Sequence, residues 1–155
     1  MGKKSAGIVA YKFVDKKMQV YLVHPGGPFW KNKDAGAWSI PKGEYEDGEE
    51  AMEVAIKEFE EETGNKIDVS NFITLPSVKQ VGGKVITAWA VETDFEQAFI
   101  SSNTFELEWP PKSGRMQTFP EVDNAGWFSV EAAAIKLNKA QFSLISSLIE
   151  LVGER

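Results

Sequence analysis

Between Glu44 and Glu62 the chain sets 10 acidic residues against one base, Lys57, a local charge of −9. Such a block can fold only if its element turns most of that charge toward water. Hydrophobic spacing predicts a helix. At about 100° per residue, with Glu58 at 0°, Ala51, Ala55, Phe59, Met52 and Ile56 form an apolar stripe between roughly 20° and 160°. Glu53, Glu60, Lys57 and Glu50 fall between roughly 200° and 280°, a solvated face. Three glutamates break the pattern. Glu62 falls at about 40°, between two alanines, Glu58 extends the stripe, and Glu61 flanks it at about 300°, near Val54. The helix is predicted to start with Asp47 as N-cap and Glu50 three residues on, a capping box. It should end at Gly64-Asn65, residues suited to a left-handed C-cap.

Burying neighbouring carboxylates costs several kcal/mol unless a cation or hydrogen bonds compensate them. The i, i+3, i+4 spacing of Glu58, Glu61 and Glu62 brings them together on one face. Oxygen ligands in a chain without cysteine point to a hard cation, Mg²⁺ first and Mn²⁺ second. Pairing with lysines from elsewhere in the fold is the structural alternative.

The remaining residues carry 16 bases against 13 acids, so the net charge of −6 is a −9 segment set in a +3 remainder. A chain of 155 residues suits one domain, here residues 1–155. Zero cysteines exclude a disulfide scaffold, thiolate zinc and thiol catalysis. The apolar runs fall far short of the ~20 residues that span a bilayer, and nothing near Met1 reads as a signal peptide. A cytoplasmic protein that binds neither membrane nor nucleic-acid polymer is expected, since polymer binding needs clustered Lys and Arg.

Along the chain, residues 5–13 and Met18 to His24 read as a hairpin turning at Asp15-Lys16-Lys17. Pro25-Gly26-Gly27-Pro28 opens a loop, and Ala37 to Ile40 reads as a short strand ending at Pro41-Lys42-Gly43. After the acidic helix, segments 69–81 and 84–95 read as strands joined at Gly82-Gly83. Residues 96–120 read as a long loop with little regular structure. Asn124 to Phe128 reads as a last strand, Ser129 as a helix cap, and about Ala140 to Val152 as an apolar helix.

Gly43, five residues, Glu49, seven residues and then Lys57-Glu58-Phe59-Glu60-Glu61-Glu62-Thr63-Gly64 closely resemble the Nudix box, G-x5-E-x7-R-E-U-x-E-E-x-G-U. Lys57 replaces the usual Arg, exchanging a bidentate fork for a point charge. Asn65 stands at the last apolar position, with Ile67 two residues on. The N-terminal Ala-Gly-Ile-Val stretch, Trp38-Ser39-Ile40-Pro41-Lys42-Gly43 and Trp127-Phe128-Ser129 are also similar to many Nudix hydrolases. The resemblance implies an α/β fold, the Nudix α/β/α sandwich with a mixed sheet.

It also implies hydrolysis of a nucleoside diphosphate linked to another group, by water attack on phosphorus with a divalent metal. By that resemblance Glu58, Glu61, Glu62 and the Gly43 carbonyl would hold Mg²⁺, and Glu58 or Glu61 can serve instead as general base. Glu49 would support the loop by pairing with Lys57. Many relatives add a carboxylate from a later loop. Glu121 is the expected one, as base or further ligand, with Asp123 as competitor. Lys42 and Arg115 are expected at phosphates. Trp38 or Trp30 reads equally as a base-stacking platform and as core, and both readings stand. Lone His24 reads as structural, and Trp89 and Trp109 as packing. The substrate expected is a small phosphorylated molecule, a nucleoside triphosphate or dinucleoside polyphosphate. A nucleotide-binding sensor without turnover is the alternative. Oligomeric state is not legible.

Overall fold

In a computed structural model, which describes residues 3–67, 71–80, 82–95 and 103–153, the N-terminal β-branched stretch forms the central strand β1 (Lys4–Val14). Asp15 and Lys16, both at positive φ, turn it into β2 (Lys17–Pro25). Two positive-φ residues make the tight connection whose twist suits a two-residue hairpin. The next strand is β3 (Lys42–Tyr45), paired antiparallel with β1 through Ala6↔Gly43 and Gly7↔Lys42. The strand expected over Ala37 to Ile40 is instead a pair of isolated bridges, Val23↔Ser39 and Trp38↔Leu137.

Helix α1 (Ala51–Thr63) follows, then β4 (Ile73–Thr74), β5 (Val78–Lys79) and β6 (Val85–Glu92). Gly82 and Gly83, both at positive φ, turn β5 into β6 as expected. The strand expected over 69–81 survives only as two short pieces, and positions 69, 70 and 81 lie outside the described residues. β6 runs parallel to β1, with Lys4↔Val85 through Tyr11↔Glu92. The long loop expected over 96–120 is corrected. Residues 96–102 lie outside the described residues, but β7 (Thr104–Glu108) and β8 (Met116–Pro120) form an antiparallel hairpin. The chain ends in β9 (Val122–Ser129), α2 (Val130–Lys136), a short 3-10 turn and α3 (Phe142–Val152).

The main sheet has the order β4-β6-β1-β2-β9, with β3 beside β1 and β5 beside β6. Alternate residues of β1 feed opposite faces, as a strand's period of two requires. Ala6, Ile8 and Ala10 pack with Ala55 and Phe59 of α1, while Val9 and Tyr11 pack with Leu144, Ile145 and Leu148 of α3. The result is the mixed α/β sandwich, helices on both faces of one sheet. No helix among the described residues is long and apolar enough to cross a membrane.

Helix α1 differs from expectation at its start. Its N-cap is Glu50, with no side-chain cap bond, while Asp47 is taken by the Lys4 ammonium. At its end Gly64 adopts φ 73° and donates to the Glu60 carbonyl, the expected left-handed cap. Thr63 is fully buried, donating to the Phe59 carbonyl at 2.7 Å, and Ile67 packs under the same helix.

Candidate active site

One edge of β1 is shared by two strands. β2 pairs with its C-terminal half and β3 with its N-terminal half, so the chain between them must leave the sheet and return. Where it returns, Gly43 meets α1. A Cβ on Gly43 would stand 2.3 to 2.7 Å from Cγ, Cδ and Oε1 of Glu58, so glycine here lets that carboxylate lie against the strand, and a larger residue would displace it.

Glu58 and Glu62 then face inward from α1, as their places on the wheel require. Burial first, then the charges of Glu61 and Glu121, push the Glu58 carboxyl upward. Glu62 is pushed further, to about 9, by burial and the Glu58 charge, against the Lys42 ammonium and a backbone hydrogen bond from Lys42. Its Oε2 is buried with no hydrogen-bond partner among the described residues. A buried carboxylate oxygen without a partner carries its full desolvation penalty. Lys42, half-buried beside it, has its ammonium pushed downward, chiefly by burial and against the Glu62 charge. Its ammonium thus lies beside Glu62, next to the expected metal ligands.

Glu61 sits at the rim. Its Oε2 accepts from Asn103 Nδ2 at 3.1 Å, and its Oε1 is 3.9 Å from the exposed Lys57 ammonium. The expected Glu49–Lys57 pairing is corrected. Glu49 Oε1 instead accepts from the Glu46 N–H at 2.8 Å, closing the loop before the helix.

The two later carboxylates part company. Glu121 lies close enough to raise both Glu58 and Glu62. Its backbone is held on both sides, its N–H donating to the Asn103 carbonyl and its carbonyl accepting from Gly26 N–H. Asp123 is engaged elsewhere, 2.7 Å from Nδ1 of His24. His24 is buried, with its Nε2 at 2.6 Å from the Lys33 carbonyl, which is a structural placement.

Of the expected substrate contacts, Trp38 is packed in the core at 5% exposure, with Nε1 donating to Asp34 and its ring against Phe128. That correction has a simple cause: Ser39 is bridged to Val23 of β2 and Trp38 to Leu137, which seats the Trp38 ring in the core beside Phe128. Arg115 stands at the tip of the β7–β8 hairpin, its carbonyl accepting from Trp109 N–H. Trp109 packs edge-on to Phe29, and Trp89 lies at the margin of the core under α1. Asn103 was not anticipated. Its signal lay in the alternation Thr104-Phe105-Glu106-Leu107-Glu108 immediately after it, a strand pattern masked by the prolines beyond.

The charges of Glu61 and of Glu121, just before β9, thus converge on the inward carboxyls of Glu58 and Glu62. The orphaned Glu62 Oε2 and the glycine-lined approach to Glu58 fit a hard divalent cation, because oxygen donors in excess of their hydrogen-bond donors are what such an ion takes. As the side chains stand, no three acidic or histidine groups among the described residues are already arranged around one point.

A family model for the NUDIX domain matches residues 3–148. Over 42 residues, 27% of its length, the chain is 43% identical to an RNA pyrophosphohydrolase of Erythrobacter litoralis (strain HTCC2594). That stretch spans 26% of the curated relative. Among solved structures, a binary complex of the C. elegans Ap4A hydrolase superposes with a TM-score of 0.64 at 20% identity, over 97% of each chain. The NUDIX domain of Shewanella oneidensis NrtR complexed with ADP ribose gives 0.66 at 15% identity, over 98% of this chain and 89% of that one. At these identities the structural likeness is one of fold.

Proposed function

The chain belongs to the Nudix hydrolase family, and from that premise we propose that it is a divalent-metal-dependent pyrophosphohydrolase. Its substrate is a nucleoside diphosphate linked to another group, here a nucleoside triphosphate or dinucleoside polyphosphate. The observation that carries the reading is the inward pair Glu58 and Glu62, with a buried, unpartnered Glu62 oxygen beside the carboxylates of Glu61 and Glu121. A retired site has no reason to keep that arrangement, because each inward carboxylate destabilises the fold unless a cation compensates it.

Glu58, Glu61, Glu62 and the Gly43 carbonyl would hold Mg²⁺, or Mn²⁺ in its place. When bound, the ion neutralises charge on the diphosphate and lowers the pKa of water. The remaining work falls to the chain. Asn103 fixes the Glu61 carboxylate by one hydrogen bond, so it need not reorganise as substrate enters. Glu121, exposed just before β9 and held by backbone bonds on both sides, would take the proton of the attacking water. Lys42 would offset part of the carboxylate charge, since its ammonium and its backbone N–H both act on Glu62. Hydrolysis then adds water across one P–O–P bond, leaving two phosphate products.

The test is phosphate release from a panel of nucleoside triphosphates and diadenosine tetraphosphate with Mg²⁺. Glu61→Gln should lower turnover by at least a hundredfold. Equal turnover in wild type and variant would remove the metal from this helix. Comparing Glu121→Gln with Asp123→Asn separates the later carboxylates: impairment by the Asp123 change alone would reject Glu121.

A further inference from the structure

Six large hydrophobic side chains are exposed among the described residues, and three of them, Phe29 at 57%, Trp30 at 39% and Met116 at 60%, lie on two adjoining loops, Met116 where the second enters β8. One loop is the turn after β2 and the other is the tip of the β7–β8 hairpin. They are joined by the Phe29 and Trp109 rings, edge to face at 5.3 Å. The same loops carry Lys31, Lys33, Lys112 and Arg115, none of them ion-paired among the described residues. Asp34, the only acid between residues 25 and 36, is already bound to Lys136 and Trp38. Exposed rings among unpaired cations suit an aromatic ligand that carries negative charge.

The platform is built rather than loose. His24 holds the Lys33 carbonyl, and Asp34 holds the loop to α2 through Lys136. Gly27 approaches Phe105 of the hairpin so closely that a Cβ there would lie 2.9 Å from the ring. The platform is also tied to the carboxylates, because Gly26 N–H donates to the Glu121 carbonyl at 2.9 Å. From Gly26 to Phe29 is three Cα steps, a span of at most about 11 Å. A base resting on these rings therefore lies within one nucleotide's reach of Glu121.

We propose that Phe29 and Trp30, with Trp109 behind them and Arg115 beside them, form the nucleobase subsite of the substrate. This rests on the proposed hydrolysis of a nucleoside polyphosphate and specifies which end of that substrate the chain reads. Lys33 stands 5.3 Å from the centroid of the Trp30 ring, so a base takes the opposite face. Stacking tolerates any base, since each has a π-face, so the subsite selects for the presence of a nucleoside more than for its identity.

Steady-state kinetics on ATP and diadenosine tetraphosphate, with inorganic tripolyphosphate as a competing inhibitor, test this. Trp30→Ala should raise KM for the nucleotide turned over best by about tenfold, with kcat within about twofold and the tripolyphosphate inhibition constant unchanged. Phe29→Ala should act in the same direction, and both variants should melt with the wild type because the rings are exposed. Nucleotide KM unmoved in both variants, while wild type turns over and Glu61→Gln does not, overturns the subsite and leaves the hydrolase reading intact. A wild type inactive on every nucleotide strikes the hydrolase reading itself. Loss of binding to phosphatidylcholine–phosphatidylserine vesicles with KM unmoved would assign the rings to a membrane surface and overturn the proposal.

Discussion

Lys57 is the one residue of the acidic motif that departs from an Arg, and its surroundings show why the exchange is tolerable. Its side chain is 70% exposed and stands 3.9 Å from Glu61, an i,i+4 pair on the open side of α1. Exposed pairs of that kind contribute between nothing and about 1 kcal/mol. Glu61 has a shorter bond to Asn103, so its orientation does not depend on Lys57. Lys57→Ala should thus cost less than tenfold in kcat/KM, whereas Asn103→Ala should cost more. Steady-state kinetics of the two variants check the order, and a larger loss from Lys57→Ala would restore the clamp role. At this scale the sequence was legible where geometry is local. Periodicity alone turned Glu58 and Glu62 inward, because 3.6 residues per turn leaves them no other face. It was illegible where partners are distant: Asn103 lies 42 positions from Glu61, and Trp38 owes its burial to Phe128 and Leu137.

Among elements, the helices were easier to read than the strands. Ser129 was expected to cap a helix, and its hydroxyl accepts from Ala132 N–H at 3.1 Å. An N-cap Ser satisfies one of the free donors of the first turn, so Ser129→Ala should destabilise the fold by about 1 kcal/mol. For a chain of this size that is a fall in Tm of roughly 2–4 °C, measurable by thermal melting, and an unchanged Tm would show the cap to be replaced by water. Helix α1 lacks such a bond: its N-cap is Glu50, and Asp47, three residues earlier, is held by Lys4 of β1. No local pattern announces that competition. Strands suffered more. β3 has four residues and is specified by its register with β1, while its own sequence, Lys-Gly-Glu-Tyr, reads as turn. The β7–β8 hairpin hid behind Pro110-Pro111 and Ser113-Gly114, which mark only its tip but make residues 96–120 read as a loop with little regular structure.

For the whole molecule, the charge of −6 matters less than where protons are held. Glu62 sits at about 9 in the folded chain against an ordinary value near 4.5, and Glu58 is shifted in the same direction. A carboxyl with a raised folded value contributes stability that is fully present below the unfolded value and lost as pH rises through the folded one. Without divalent metal, the protein should therefore lose stability steadily from about pH 5 to pH 9. Asp34 and Asp47 are held below 3.8 by Lys136 and Lys4, so they act at lower pH and leave that window clear. A cation that needs the ionised carboxylates reverses the trend, since its binding releases the proton and stabilises only the folded state. Thermal melts in EDTA should show Tm falling across this range, and the fall should be much shallower in Glu62→Gln, whose amide cannot ionise. Saturating Mg²⁺ should raise the wild-type Tm, by more at pH 8.5 than at pH 6, and should do little for Glu62→Gln. The same slope in EDTA for both proteins would show that the proton is held elsewhere. A Mg²⁺ effect independent of pH would show that the ion does not use the buried carboxylate.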